Sequence, residues 1–200
     1  MCAKSTLSKL FVSFLILSTV LLLGSATGFA REKNETIDAQ AFGTSTQLGR
    51  SIGVTLIIYQ YSTPEDRAIL VEAFQKGQNQ GLVNALEKMK AVGHISITGT
   101  LGYDVSYIKM TPTPTGRNIR FVTNRKISFG EAFYDTQSQA YNLSGGEFNI
   151  DNQDKSKSGG VLWPAAQLAI DNEGQLQLQL LQNPWRLSDI IDWAGTPSEN

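Results

Sequence analysis

Residues 52–89, IGVTLIIYQYSTPEDRAILVEAFQKGQNQGLVNALEKM, change their hydrophobic period halfway, and that change decides the fold class. Up to Tyr61 the run is apolar on both faces, which reads as a central β-strand. From Ser62 the spacing becomes helical. Thr63 is placed as an N-cap, Pro64 suits the first helical position, where no N–H is needed, and Asp66 completes a capping box. Glu65 and Asp66 also lie where the helix dipole favours negative charge. Leu70, Val71, Ala73 and Phe74 form an apolar face, and Gly77 is a natural stop. Leu82, Ala85, Leu86 and Met89 then recur at i, i+3, i+4 and i+7, the stripe of a second helix. The expectation is a helical hairpin packed on one face of a sheet.

On either side of this segment the period is two. Ile37, Ala39 and Ala41 alternate with Asp38 and Gln40; Tyr103, Val105 and Tyr107 alternate with Asp104 and Ser106; Ile119 and Phe121 alternate with Asn118 and Arg120. Between the last two runs, TPTPTGR reads as a turn. Further strands are expected at residues 127–134, 143–151 and 160–170, the last demoted by Pro164 to an edge strand or a bulge. Asp171-Asn172-Glu173-Gly174 reads as a tight turn before Leu176, Leu178 and Leu180, which alternate with glutamines as in a strand with one wet face. The fold class is therefore α+β: about eight or nine antiparallel strands, mostly a meander, with the helical hairpin inserted after the second strand. So many strands rarely stay flat, so the sheet is expected to curl into a partial barrel.

The first thirty residues stand apart. Lys4 and Lys9 precede an uncharged run over residues 10–23, and Gly28-Phe29-Ala30 sets small side chains where a signal peptidase reads. As a helix that run extends only about 21 Å, short of a hydrocarbon core of about 30 Å. Residues 1–30 are thus expected to be a signal peptide cleaved after Ala30, directing the protein to the periplasm or outside the cell. No stable membrane span is expected after cleavage. Residues 31–193 would form one domain, with residues 194–200 a disordered tail. Cys2, the sole cysteine, leaves with the leader, so the exported domain relies on its core instead of on disulfides. At about 170 residues it can bury roughly 70% of its unfolded surface. Losing Lys4 and Lys9 takes the formal charge from −1 to −3. With the remaining basic residues dispersed, nucleic acid is a poor match as partner.

Chemistry-bearing patterns are sparse. Gly49-Arg50-Ser51-Ile52-Gly53 fits G-x-S-x-G, with Asp66 and His94 following in hydrolase order, but that motif requires a strand-to-helix turn and here a polar turn precedes a strand. Zinc needs several His or Cys ligands, whereas the exported chain has His94 alone. In DNQDKSKSGG, Asp151 and Asp154 are close, but the spacing and closing Glu of a calcium loop are missing. No metal or cofactor is expected. His94 sits after Gly93 at the mouth of a strand, without an obvious orienting partner, and Asp104 is expected to face solvent or to pair with Arg120 or Arg125. Asp104, Glu131 and Asp135 could supply a carboxylate pair of the kind that glycoside hydrolysis uses. Asn34-Glu35-Thr36 and Asn142-Leu143-Ser144 match the glycosylation acceptor pattern.

YSTPEDR (61–67), ALEKMKAVGHI (85–95), TLGYDVSY (100–107), FVTNRKISFGEA (121–132) and LQNPWRL (181–187) together resemble an uncharacterised family of secreted bacterial proteins. The resemblance spans residues 36–190. Its most specific parts are LGYD at 101–104 and ISF-x-E at 127–131; Asn124 and Lys126 depart from it, where Asp and Pro would be expected. It implies a signal peptide followed by one small α+β domain. Since the family has no assigned activity, no catalytic residue carries over.

The leading functional expectation is a noncatalytic binding or interaction domain for a small apolar ligand or an envelope protein. Its candidate ligand-binding residues are Tyr103, Tyr107 and Trp163, aromatic strand positions able to line a pocket between sheet and helices, together with His94 and Glu131. The alternative is a secreted hydrolase using His94 or a carboxylate pair.

Overall fold

A computed structural model of the chain describes residues 34–44, 49–125 and 141–193. The leader, the expected strand at 127–134 with Glu131 and Asp135, and the tail lie outside them. Among the described residues, ten antiparallel strands run β1 Glu35–Phe42, β2 Ser51–Ile58, β3 Gly93–Ile97, β4 Tyr103–Val105, β5 Tyr107–Thr113, β6 Gly116–Thr123, β7 Leu143–Asp151, β8 Gly159–Ile170, β9 Leu176–Leu180 and β10 Trp185–Asp192. Their order in the sheet is β4-β3-β2-β1-β10-β8-β7-β6-β5, with β9 added to β8. The sheet coils into a nearly closed barrel. Its seam lies where β4 passes through Ser106 straight into β5, and the Ser62 N–H donating to the Ile108 carbonyl at 2.8 Å ties that seam to the chain leaving β2.

Alternation puts one face of every barrel strand inside. Ile37, Leu56, Ile95, Ile108, Ile119, Phe121, Phe148, Leu162 and Leu187 are all but inaccessible to solvent. Phe121 and Phe148 meet at 6.1 Å between ring centroids, and Gly146 leaves the space that the Phe121 ring occupies. Burying each such side chain stabilises the fold by about 1.5–3 kcal/mol. One end of the interior is closed by charge. Arg117 reaches Glu35 at 2.7 Å and also pairs with Asp192, while the Tyr61 hydroxyl donates to Glu35 at 2.7 Å.

A single α-helix, α1 Pro64–Lys88, is present among the described residues, in place of the expected helical hairpin. Its start follows the sequence signals. Thr63 Oγ1 accepts from the Asp66 N–H at 3.2 Å and the Asp66 carboxylate accepts from the Thr63 N–H at 2.8 Å. Gly77 does not stop the element. Gly77 and Gln78 leave helical geometry, Gln78 with φ 51° and ψ −145°, and the helix resumes at once. The kink brings Gly81 so close to the first half that a Cβ there would lie 2.3 Å from the Ala73 carbonyl oxygen. Leu70, Leu82, Val83 and Leu86 pack with Leu143 on the outside of the barrel, beside Tyr107, Val122 and Leu168. Asn79, just past the break, donates to Asn142 Oδ1 at 2.7 Å and accepts the Leu168 N–H at 2.8 Å, pinning the bend to β7 and β8.

Two further expectations are corrected, and a third, an edge or a bulge at Pro164, resolves to the bulge. The stretch 103–107 is two strands parted at Ser106, because its halves join opposite ends of the sheet. Thr111, Pro112 and Thr113 continue β5, which tolerates proline because it is an edge strand. Pro164, by contrast, does not mark an edge, since β8 has partners on both sides. It does sit at a register irregularity: Gly145 pairs with Trp163 but Leu143 with Ala166, an extra residue on β8. That bulge keeps Ala166, Leu168 and Ile170 on the same face as Trp163.

Candidate functional site

The outer face of β5 to β8 is laid out in ladder register. Tyr107 stands opposite Val122, Val122 opposite Gly145, and Gly145 opposite Trp163, so four strands contribute one row with little side-chain height at its centre. A neighbouring row is charged: Lys109 opposite Arg120, and Arg120 opposite Glu147. Beyond the bulge, the far half of β8 leaves the barrel and pairs with β9 as a ribbon, Leu168 opposite Leu178 and Ile170 opposite Leu176. The ribbon's turn is held by Asp171, whose Oδ1 accepts from the Glu173 and Gln175 amides at 2.9 and 2.8 Å, with Gly174 at φ 79°.

Helix, row and ribbon enclose an open cleft of about 750 Å³, bordered by Leu70, Val71 and Phe74 on one side and by Leu168, Ile170, Leu176 and Leu178 on the other. Several of these remain accessible: Val71 41%, Ile170 48%, Leu176 60% and Leu178 42%. An alternating LQLQL strand would ordinarily bury its leucines, whereas here Leu176 and Leu178 are exposed along the cleft.

The polar groups of the cleft are few. The Arg120 Nε donates to Glu147 at 2.7 Å. Burial pushes the Glu147 carboxyl upward, but donors from Asn149, Arg120 and Asn118 outweigh it and hold the group below the usual carboxylate range. Burial raises the Tyr107 phenol, against the opposing charge of Arg67, so its hydroxyl keeps its proton. Neither the Tyr107 hydroxyl nor the Arg67 guanidinium makes a hydrogen bond or ion pair to a described residue.

Of the expected ligand-binding residues, Tyr107 and Trp163 line this cleft. Tyr103 packs against the barrel interior instead. His94 is on the outer face of β3, in register with Asp104 on β4; its Nδ1 lies 3.3 Å from Asp104 Oδ1 and its Nε2 3.2 Å from the Leu101 carbonyl oxygen. Asp104 thus meets His94, not Arg120 or Arg125. Glu131 is outside the described residues. Ser51 opens antiparallel β2 and stands at no strand-to-helix turn. Asp151 and Asp154 accept from backbone amides of their own loop, including Gln153, Asp154 and Ser156. Arg67, Arg120, Glu147 and the ribbon leucines were not singled out from sequence, although the Leu-Gln alternation was the visible sign of the last group. No family model, curated protein or solved structure matches the chain.

Proposed function

We propose that the chain is an exported, noncatalytic domain that binds an elongated apolar small molecule in the cleft between α1 and the β8–β9 ribbon. The observation carrying this reading is the contiguous accessible apolar surface of Val71, Ile170, Leu176 and Leu178 around a concave space of about 750 Å³. Small-molecule sites commonly span about 300–1,000 Å³, and soluble proteins seldom expose joined apolar patches without use for them. Export to the periplasm or beyond is supported by the charge and hydropathy pattern of residues 1–30, and it accords with the resemblance to secreted bacterial proteins. The hydrolase alternative has weaker support. His94 faces an acceptor with each ring nitrogen, leaving neither nitrogen directed at a substrate.

Titrating the mature chain with a neutral naphthylamine dye tests the reading. Dye fluorescence should rise with a saturable, stoichiometric curve, accompanied by a change in Trp163 emission that disappears in Trp163→Phe. Leu178→Asp, at an exposed position, should weaken uptake about tenfold or more without lowering the melting temperature. Absence of saturable uptake by the folded chain would sink the proposal.

A further inference from the structure

We infer that the cleft selects a single-chain amphiphile with an anionic head, its carboxylate held at Arg67 and Tyr107 and its hydrocarbon laid toward the ribbon leucines. This rests on the cleft being a ligand site, and it adds the class of ligand. The argument is one of charge placement. Among the described residues, two cations and one carboxylate border the cleft: Arg67, Arg120 and Glu147. Glu147 pairs with Arg120 at 2.7 Å, and Lys109 stands opposite Arg120 in the ladder, so the charge of these described residues is net positive. Asp66, one residue before Arg67, turns its carboxylate to the Thr63 amide, and its charge still reaches Tyr107. Arg67 presents a planar donor fork that no described residue fills, at the first turns of α1, where the helix dipole also favours an anion.

The second polar group is suited to the same head. The Tyr107 hydroxyl is protonated and makes no hydrogen bond to a described residue, so it is a donor able to join the guanidinium on one carboxylate. Tyr107 belongs to the apolar floor row with Val122, Gly145 and Trp163, so a head at Tyr107 leads a chain onto that floor. Leu168, Ile170, Leu176 and Leu178 then form the wall beside it. A cationic head would meet Arg67 unfavourably, and a neutral one would leave the guanidinium unused.

The test is calorimetric titration of the mature chain with three probes of equal chain length, each below its micelle concentration: dodecanoate, dodecanol and dodecyltrimethylammonium. Dodecanoate should bind most tightly and the ammonium most weakly. Arg67→Gln, at an exposed position, should weaken dodecanoate about fivefold, the worth of one exposed ion pair, and leave dodecanol unchanged. Tyr107→Phe should lower dodecanoate affinity in the same selective way. Equal binding of dodecanoate and dodecanol, with Arg67→Gln altering neither, overturns the inference while the apolar cleft stands. Failure of all three probes overturns both. Two other occupants have their own signatures, and each would overturn the inference. Cosedimentation with phosphatidylglycerol vesicles without uptake of monomeric dodecanoate would assign the face to a membrane surface. A dimer in light scattering that Leu178→Asp dissolves, with no probe bound, would assign it to a second copy of the chain.

Discussion

Replacing Arg117 with methionine would keep much of its volume and leave Glu35 and Asp192, whose side chains are only 13% and 11% accessible, without their shared cation. Removing one partner from a buried ion pair leaves uncompensated charge in a poor dielectric, so Arg117→Met should lower stability by about 3 kcal/mol in urea unfolding at neutral pH. Glu147 gives a pH-dependent counterpart. Its carboxyl is held below the ordinary value of 4.5, so it stabilises the fold above that value and loses the effect as pH falls through the depressed one. Glu147→Gln should therefore cost about 1 kcal/mol at neutral pH, with the deficit shrinking in unfolding curves below the ordinary carboxylate range. A Glu147→Gln deficit that stayed constant into acid would show that the charge is not what stabilises. Neither cluster was legible in the sequence, because ladder register decides which charges meet. His94 and Asp104 show this: both could be placed in strands, but only the β3–β4 pairing sets them opposite each other, and the same pairing keeps Asp104 from Arg120, which faces Glu147 on a different pair of strands.

The helix is where local signals were strongest and still incomplete. Its cap was readable because Thr63, Pro64 and Asp66 act within one turn, and its apolar spacing was readable because the face is continuous. The connection was not. Glycine at 77 suggests an end, yet Gly77 keeps a negative φ of −136° and Gln78 takes the left-handed value of 51°. A β-carbon is strained there, so Gln78→Gly should raise stability by about 1 kcal/mol, read as a higher urea midpoint. Gly81 yields a prediction whose sign separates two accounts. Helix propensity alone gives alanine an advantage of about 1 kcal/mol over glycine. The close approach of Gly81 to the Ala73 carbonyl gives the opposite, since a Cβ would stand 2.3 Å from a backbone oxygen. Gly81→Ala should destabilise by about 1–3 kcal/mol, as overpacking does. A gain in melting temperature for Gly81→Ala would mean that the close approach to the Ala73 carbonyl does not govern stability at this position.

For the molecule as a whole, alternation made the antiparallel sheet and its curl foreseeable, whereas closure depended on a strand with a broken period. β10 joins β1 to β8, but Trp185 and Leu187 are followed inside by Ile190, one residue out of step. The register irregularity lies beside Asp189, at φ 51°, and it erased the period-two signal from the sequence. The resulting barrel is unevenly stabilised. β2 is central, with Val54, Leu56 and Ile58 buried, whereas β9 pairs with β8 alone and is largely exposed. Elements with few buried contacts open at a free energy far below that of global unfolding. Backbone amides of β9 should accordingly exchange with deuterium orders of magnitude faster than those of β2 and β3. A ligand seated between ribbon and helix would bury Leu176 and Leu178 and slow β9 exchange, because it stabilises the closed ribbon by mass action. Saturating dodecanoate should thus slow the fast local opening of β9 and the outer half of β8, in addition to any slowing of β2 and β3 that follows from stabilisation against global unfolding. Fast β9 exchange that saturating dodecanoate leaves unchanged, while β2 and β3 slow, would place the ligand away from the ribbon.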